Sequence, residues 1–254
     1  MRHEVTTLSR QEAHVPEWRA ALQGEEKAAY VHAMFGRIAR RYDLMNRLMS
    51  LGRDQAWRRL AAREARVAPG ALVLDLATGT GDLAFALLDL APSARVVGAD
   101  FAMPMLAEGA RKRAAQGRDA FSLVAADALQ LPFAEGTFDA VLSAFLMRNV
   151  TDLHRGFAEQ RRVLRPGGRV VCLEITMPPW PGIRALFAWY FGTLVPRLGG
   201  LVAGDPEAYT YLPESVRRFP RPEALARLME SVGFRDVSFR RLALGTIAVH
   251  VGVK

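Results

Sequence analysis

The stretch Ala71-Leu72-Val73-Leu74-Asp75-Leu76-Ala77-Thr78-Gly79-Thr80-Gly81-Asp82 decides the fold. Residues 71–76 are an apolar run that stops at a glycine loop, the pattern of a short strand buried on both faces of a parallel sheet. Residues 83–90 read as a helix, so the loop joins a strand to a helix. Glycine at 79 and 81 lets the backbone approach a ligand and leaves N–H groups free at the helix N-terminus.

The same alternation continues downstream. Strands are expected at Arg95–Asp100, Phe121–Ala125 and Phe138–Ala144, with a helix over 104–115 and another, capped by Asp152, running to Leu164. Pro166-Gly167-Gly168 turns the chain into a fifth strand, 169–175. A helix over Pro222–Ser231 and strands at 237–241 and 246–251 close the chain. This pattern predicts an α/β fold: a doubly wound, mostly parallel seven-stranded sheet. Residues 178–220 break the rhythm with seven prolines, at 178, 179, 181, 196, 206, 213 and 220. An insertion there lies beyond the carboxyl end of strand five and reads as a substrate cap. Upstream, Val31, Phe35, Ile38, Tyr42, Met45 and Met49 form one helical face. Gly52 interrupts it, and Asp54 is placed to cap a second helix bearing Trp57, Leu60 and Ala61. The expected organisation is a flexible arm over 1–25 and one domain over 26–254, with N-terminal helices in 26–68 and the cap in 178–220.

The chain has 254 residues, 50% hydrophobic and 24% charged, which excludes a disordered protein, a disulfide-stapled mini-domain and a coiled coil. Cys172 is the single cysteine and cannot form an intramolecular disulfide. The net charge of +8 is uneven: residues 1–66 hold 13 basic and 8 acidic side chains, and residues 67–254 hold 21 and 18. The first thirty residues contain no apolar signal-type core. The apolar stretch 185–195, bracketed by Arg184 and Arg197, is shorter than the roughly 20 residues a bilayer span needs. A soluble or peripheral protein is expected. The five histidines, at 3, 14, 32, 154 and 250, show no metal-ligand spacing, so no metal is expected.

Taken alone, Gly79-x-Gly81-x-x-Ala84 also fits a dinucleotide-binding loop, and an NAD-binding oxidoreductase is the competing enzyme class. The acids separate the two. Asp75 and Asp82 flank the loop, where they repel a pyrophosphate and attract a sulfonium or an amino group. Asp100, at the end of the second strand, suits the two ribose hydroxyls, and Asp127, after the third, suits an adenine amine. Together with Leu164-Arg165-Pro166-Gly167-Gly168, these features resemble a class I S-adenosylmethionine-dependent methyltransferase.

Further segments narrow the resemblance. Phe35-Gly36-Arg37-Ile38-Ala39 with Tyr42-Asp43-Leu44-Met45-Asn46, then Leu146-Met147-Arg148-Asn149-Val150-Thr151, Pro196-Arg197-Leu198-Gly199, Tyr209-x-Tyr211-Leu212 and Arg218-Phe219-Pro220 are similar to the ubiquinone/menaquinone biosynthesis C-methyltransferases. The resemblance implies C-methylation of a prenylated quinol with S-adenosyl-L-methionine, with demethylmenaquinol favoured over the benzoquinol of ubiquinone biosynthesis. It implies a cofactor site made by Asp75, Gly79, Thr80, Gly81, Asp100, Asp127, Ala128 and Ser143. Arg148, Asn149 and Tyr42 are the implied catalytic residues. The Arg148 guanidinium stays protonated, so it suits stabilising a phenolate or positioning a water better than abstracting a proton. Two positions depart from the family: Asp127 stands where Asn is usual, and Leu146 where Gly is usual.

Phe187, Trp189, Tyr190 and Phe191 could line a tunnel for the prenyl tail. The runner-up reading is a methyltransferase for another small apolar acceptor. A basic nucleic-acid-binding module lacks aromatic–basic interleaving and any zinc or helix-turn-helix signature. The basic surplus in residues 1–66, with Trp18 and Trp57 as interfacial anchors, is expected to dock the enzyme on anionic lipid at the cytoplasmic face of the membrane.

Overall fold

Three helices precede the sheet: α1 (Gly24–Ile38), α2 (Tyr42–Ser50) and α3 (Arg53–Glu64). The structure is a computed structural model that describes Leu22 and residues 24–254. Trp18 and most of the expected arm lie outside the described residues. The helical face beginning at Val31 extends back to Gly24 and is broken by a 3₁₀ turn, Ala39–Arg41. Asp54 does not cap α3, because Gly52 stands at that position. Its carboxylate instead accepts hydrogen bonds from Ser50 Oγ at 3.0 Å and Gln55 Nε2 at 3.1 Å.

The sheet follows as β1 (Leu72–Leu76), α4 (Asp82–Leu90), β2 (Arg95–Asp100), α5 (Met103–Gln116), β3 (Phe121–Ala125), β4 (Phe138–Ala144), α6 (Leu153–Val163) and β5 (Leu164–Ile175). After the cap come α10 (Pro222–Ser231), β6 (Arg235–Leu242) and β7 (Ile247–Val253). The strand order is β3-β2-β1-β4-β5-β7-β6. The first five strands pair in parallel, and β7 runs antiparallel between β5 and β6. β5 reaches back through the Pro166-Gly167-Gly168 turn to Leu164, with a register shift against β4 between Phe138 and Ala140.

Alternate strand residues feed two apolar layers. Val73, Leu142 and Val171 pack with α3 and α4 on one face, and Leu74, Val141 and Val170 pack with α6 and α10 on the other. Both faces are covered, which is why the strands read as continuous apolar runs.

The cap is helical. Pro181–Ala203 runs as one helix of 23 residues, built from α7 (Pro181–Trp189), a π turn, α8 (Val195–Leu198) and a second π turn. The helix is therefore longer than the 11-residue apolar stretch it contains, and its length and composition would allow it to cross a membrane. Only 17% of its most apolar window is buried. Phe187 and Val195 are buried, packed with residues of α9 (Pro206–Arg218).

Between β2 and the glycine loop the chain leaves no room for a side chain. A Cβ on Gly98 would stand 2.6 Å from the Phe121 ring and 2.8 Å from Thr78 Oγ1. Gly98→Ala is expected to destabilise the protein by about 1–3 kcal/mol and to weaken cofactor binding by displacing Thr78. Urea denaturation and calorimetric titration with S-adenosylhomocysteine measure the two effects.

Candidate active site

β1 is flanked by β2 and β4, and the chain leaves β1 and β4 towards opposite faces of the sheet. The crevice between their carboxyl ends is where open α/β sheets bind ligands. The first residue after each strand lies in the left-handed region, Ala77 at φ 53° and Phe145 at φ 64°. Non-glycine residues hold such angles only where the surroundings enforce them.

Two cavities meet in this crevice. The smaller, about 50 Å³, is lined by Asp75, Thr78, Gly79, Thr80, Asp82 and Asp100 together with Phe35 and Tyr42 above them. Asp75 organises the loop: its Oδ2 accepts from Thr78 Oγ1 at 2.6 Å and from the Ala84 amide at 3.1 Å. Asp100 accepts from the Gly79 amide at 2.8 Å and the Ala102 amide at 2.9 Å. Burial pushes Asp75 up to about 7, against its bond from Thr78 and the charge of Arg58. Burial likewise raises Asp100, against the amides of Ala102 and Gly79. Asp82 shows the reverse balance: burial works upward, but the Lys112 ammonium bonded to it holds it below the usual range.

α2 reaches down onto this loop. Thr80 Oγ1 donates to Asp43 Oδ1 at 2.6 Å, and Lys112 bonds Asp43 Oδ2 at 2.8 Å as well as Asp82. The bracket explains the small volume, well below the roughly 300 Å³ at which small-molecule pockets begin. Three carboxylates around one cavity suit a group carrying a sulfonium and an amino cation.

Of the eight expected cofactor residues, Asp75, Gly79, Thr80 and Asp100 line the cavity; the other four do not. Gly81 makes the turn into α4 at φ 88°, where a Cβ would stand 2.8 Å from Phe121. Asp127 is exposed and caps its own turn, accepting from the Leu129 amide at 2.8 Å. Ala128 packs against the apolar layer under α6. Ser143 is buried within the sheet, in register with Leu76 and Cys172.

The larger cavity, about 420 Å³, is mainly apolar and is roofed by α2 and the cap. Tyr42, Arg148 and Asn149, the expected catalytic trio, all line it. Phe35, Tyr42, Phe145 and Asn149 line both cavities, so they form the passage between them. Five buried polar atoms on its walls have no hydrogen-bond partner: Asn46 Nδ2, Arg148 Nε, Asn149 Oδ1 and the hydroxyls of Tyr209 and Tyr211. Buried polar groups without partners are rare, and a cluster of them points to an oxygen-bearing ligand. Leu146 faces the smaller cavity and is not in the wall of the larger one.

A local network holds the trio. The left-handed turn at Phe145 presents its carbonyl to Arg148 Nη1 at 2.9 Å and to Asn149 Nδ2 at 3.1 Å. Arg148 Nη1 also donates to Glu174 Oε2 at 3.1 Å, with Glu174 only 1% exposed. Burial raises Glu174, and the Arg148 guanidinium opposes that rise. Lys27 ties α1 to the same turn, donating to the Val150 carbonyl at 2.7 Å and the Arg148 carbonyl at 3.2 Å. Its ammonium is lowered by burial and then by Arg148.

Residues 23–254 match the model of the ubiE/COQ5 methyltransferase family. The chain belongs to this family. It is similar to the demethylmenaquinone methyltransferase of Thermus thermophilus, 51% identical over 86% of this chain and 99% of that protein. The corresponding enzyme of Deinococcus radiodurans is 46% identical over 91% of this chain and 95% of its own length. A ubiquinone/menaquinone biosynthesis C-methyltransferase, UbiE, of Paracoccus denitrificans is 44% identical over 91% and 92%. Among solved structures, an S-adenosylmethionine-dependent methyltransferase of Thermotoga maritima superimposes with a TM-score of 0.62 at 17% identity, covering 87% of this chain and 98% of that one. At that identity the likeness concerns the fold, which is the Rossmann-like class I methyltransferase fold. The protein is thus an S-adenosylmethionine-dependent methyltransferase.

Sequence reasoning missed Glu174, Phe145, Lys27 and Lys112. Glu174 left a signal, an acid inside the apolar strand Arg169-Val170-Val171-Cys172-Leu173-Glu174-Ile175. The lysines left another: the chain has three, at 27, 112 and 254, and two of them hold the site together. Trp57 is half-buried: it lines the larger cavity and packs on the α3–α4 layer. Among the described residues no group of three or more His, Cys, Asp or Glu could hold a metal ion.

The raised Asp75 gives a pH signature. Its neutral form is favoured in the fold, so its stabilising contribution is complete below 3.8 and is lost as the pH rises through about 7. Asp75→Asn keeps an acceptor for Thr78 and Ala84 but cannot ionise. The ligand-free wild type is expected to lose stability relative to Asp75→Asn between about pH 4 and about pH 7, at up to roughly 1.4 kcal/mol per pH unit. Urea titrations across that window measure it; a constant difference would contradict the assignment.

Proposed function

We propose that this enzyme methylates a ring carbon of a prenylated quinol, with demethylmenaquinol its principal acceptor and the benzoquinol of ubiquinone biosynthesis a second. The observation that carries this reading is the pair of cavities: an acidic one and a larger apolar one, joined through Phe35, Tyr42, Phe145 and Asn149 beside Arg148. The names of the relatives favour the naphthoquinol. The apolar walls suit a ring and its prenyl tail, and the unpartnered atoms of Asn46, Arg148, Asn149, Tyr209 and Tyr211 suit the quinol oxygens.

Asp75, Gly79, Thr80 and Asp100 hold the cofactor in this reading. Asp127 and Ala128 join them only if binding rearranges their loop, whereas Ser143 is held inside the sheet by β4. When bound, S-adenosylmethionine supplies an electrophilic methyl group. The protein's part is to make the ring carbon nucleophilic and to keep water away. A ring hydroxyl that has lost its proton to solvent pushes electron density onto its neighbouring carbon, and once that carbon carries the methyl group its own proton passes back to the oxygen and restores the aromatic ring. Arg148 stabilises that phenolate with its unpartnered Nε–H, while Glu174 fixes the guanidinium from behind. Because Glu174 balances the charge, the pair as a whole presents no net charge to a neutral substrate. Tyr42, in the passage, excludes water from the reacting carbon.

Incubation with methyl-labelled cofactor and each quinol tests the substrate: label in the demethylmenaquinol ring is expected, and no transfer to either quinol would sink the reading. Arg148→Met is expected to lower kcat by about 10²–10³ with a smaller change in KM. Glu174→Gln should act through the same guanidinium, so the double variant loses little more than Arg148→Met alone. Additive losses in this cycle would separate Glu174 from Arg148.

A further inference from the structure

We infer that the mouth of the apolar cavity is a lipid-docking surface, and that an anionic bilayer is the partner it fits. The inference rests on the quinol reading only for its purpose; the surface itself stands on geometry. Leu51, Leu186 and Leu244 line the cavity and are also exposed, so they mark its mouth. They come from three separate parts of the chain: the end of α2, the cap helix and the β6–β7 turn.

Two of these leucines sit where the backbone disfavours them. Leu51 has φ 52° with 88% of its surface exposed, and Leu244 has φ 55° with 66% exposed. A helix C-terminus in the left-handed conformation is usually glycine. Leucine there burdens the backbone and leaves most of its surface uncovered by the described fold. The apolar side chain therefore serves something outside it. The surrounding surface agrees. Trp180 and Trp189, on either side of Leu186, are 53% and 57% exposed, and Leu201, farther along the same helix, is 84% exposed. Trp180 borders the β6–β7 turn, its ring 3.4 Å from where a Gly245 Cβ would stand. Tyr190 binds the cap helix to α2 through the Met49 carbonyl at 3.0 Å, so the three parts form one continuous rim.

Charge selects the occupant. The rim segments 42–53, 177–203 and 241–246 contain Arg47, Arg53, Arg184, Arg197 and Arg241 and a single acid, Asp43. Asp43 is bonded to Lys112, and Arg241 to Glu223. Arg47 lies 3.8 Å from Asp82, so the basic charge of the rim segments rests on Arg53, Arg184 and Arg197, which have no ion pair among the described residues. Apolar side chains inside a basic border suit the interface of an anionic bilayer, where tryptophan also prefers to sit. A second copy of this chain would bring the same three positive charges against its own. The rim overlaps the basic first quarter of the chain at Arg47, Leu51 and Arg53 and extends it with the cap helix and the β6–β7 turn.

Co-sedimentation of the full chain with phosphatidylglycerol-containing vesicles tests the inference, with pure phosphatidylcholine vesicles as the control. Of the four aromatics expected to line a prenyl tunnel, Phe187, Tyr190 and Phe191 line the larger cavity and Trp189 does not. Trp180→Glu/Trp189→Glu therefore changes two exposed side chains outside both cavities; Leu201→Glu is a second, independent variant. The wild type is expected to bind the anionic vesicles, more weakly as salt rises. The double variant should lower the bound fraction by about tenfold. It should keep turnover of a short-chain, water-soluble quinol and lose turnover of a long-chain quinol embedded in vesicles. Equal binding by wild type and variant overturns the inference. So does a wild-type dimer in sedimentation velocity that the double variant dissolves, since the face would then belong to a second copy. Vesicle binding without methylation of any quinol leaves the docking surface standing and sinks the substrate reading.

Discussion

Everything at the active site depends on the reversal of the sheet between β1 and β4. Parallel strands cannot turn back directly, so each needs a helix, and α4 and α6 pack on opposite faces. The chain must therefore part above these two strands. Both departing residues, Ala77 and Phe145, take left-handed angles that a side chain resists. At Phe145 the angle directs one carbonyl to both Arg148 and Asn149, so backbone strain becomes side-chain position. A residue with freer backbone at 145 would leave that carbonyl without a fixed direction.

The two cavities differ in dielectric character, and that difference organises the chemistry. The smaller one gathers Asp75, Asp82 and Asp100, whose charges burial opposes and a bound cation would relieve. At the larger one two buried ion pairs meet the wall, Arg148 with Glu174 and Asp54 with Arg58, each an internally balanced dipole beside apolar residues. A buried charge left alone is costly, and one paired and hydrogen-bonded is tolerated. Glu174 is thus what permits a cation in a cavity made for an apolar ring. The bonds from Lys27 to the same turn then fix the distance between α1 and this pair.

The fold was legible in the sequence because β1, β2, β3 and β4 are short, largely apolar and bounded by turns. Val73 and Leu74 face opposite layers, both buried, and no alternation was needed to find them. The glycine loop and the acids ending β1 and β2 were legible for the same reason: their chemistry is local. What the sequence hid is non-local or conformational. Ser143 has the composition of a site residue, but the register with Leu76 and Cys172 encloses it in the sheet. Asp127 ends the turn after β3, and its short reach is spent on the Leu129 amide. The grip of Lys112 on Asp43 joins helices 69 residues apart in the chain, and no spacing rule reaches that far. The π turns of the cap helix lengthen a segment whose charged ends suggested a short one.

α2 links these parts mechanically. Its Tyr42 is a wall of both cavities, its Asn46 and Met49 belong to the larger, its Asp43 grips the loop of the smaller, and Leu51 stands at the mouth beyond its last turn. A rigid helix cannot open one cavity without shifting the wall of the other. Enlarging the smaller cavity requires Asp43 to release Thr80 and Lys112, which lifts Tyr42 from the passage. Filling the larger cavity under Tyr42, Asn46 and Met49 presses on the same element from the far side. Coupling between two sites needs a shared element with more than one position that both ligands bias. α2 meets the structural part of that requirement. It also carries the mouth, so a surface that fixes Leu51 bears on the passage as well, through nine residues of one helix.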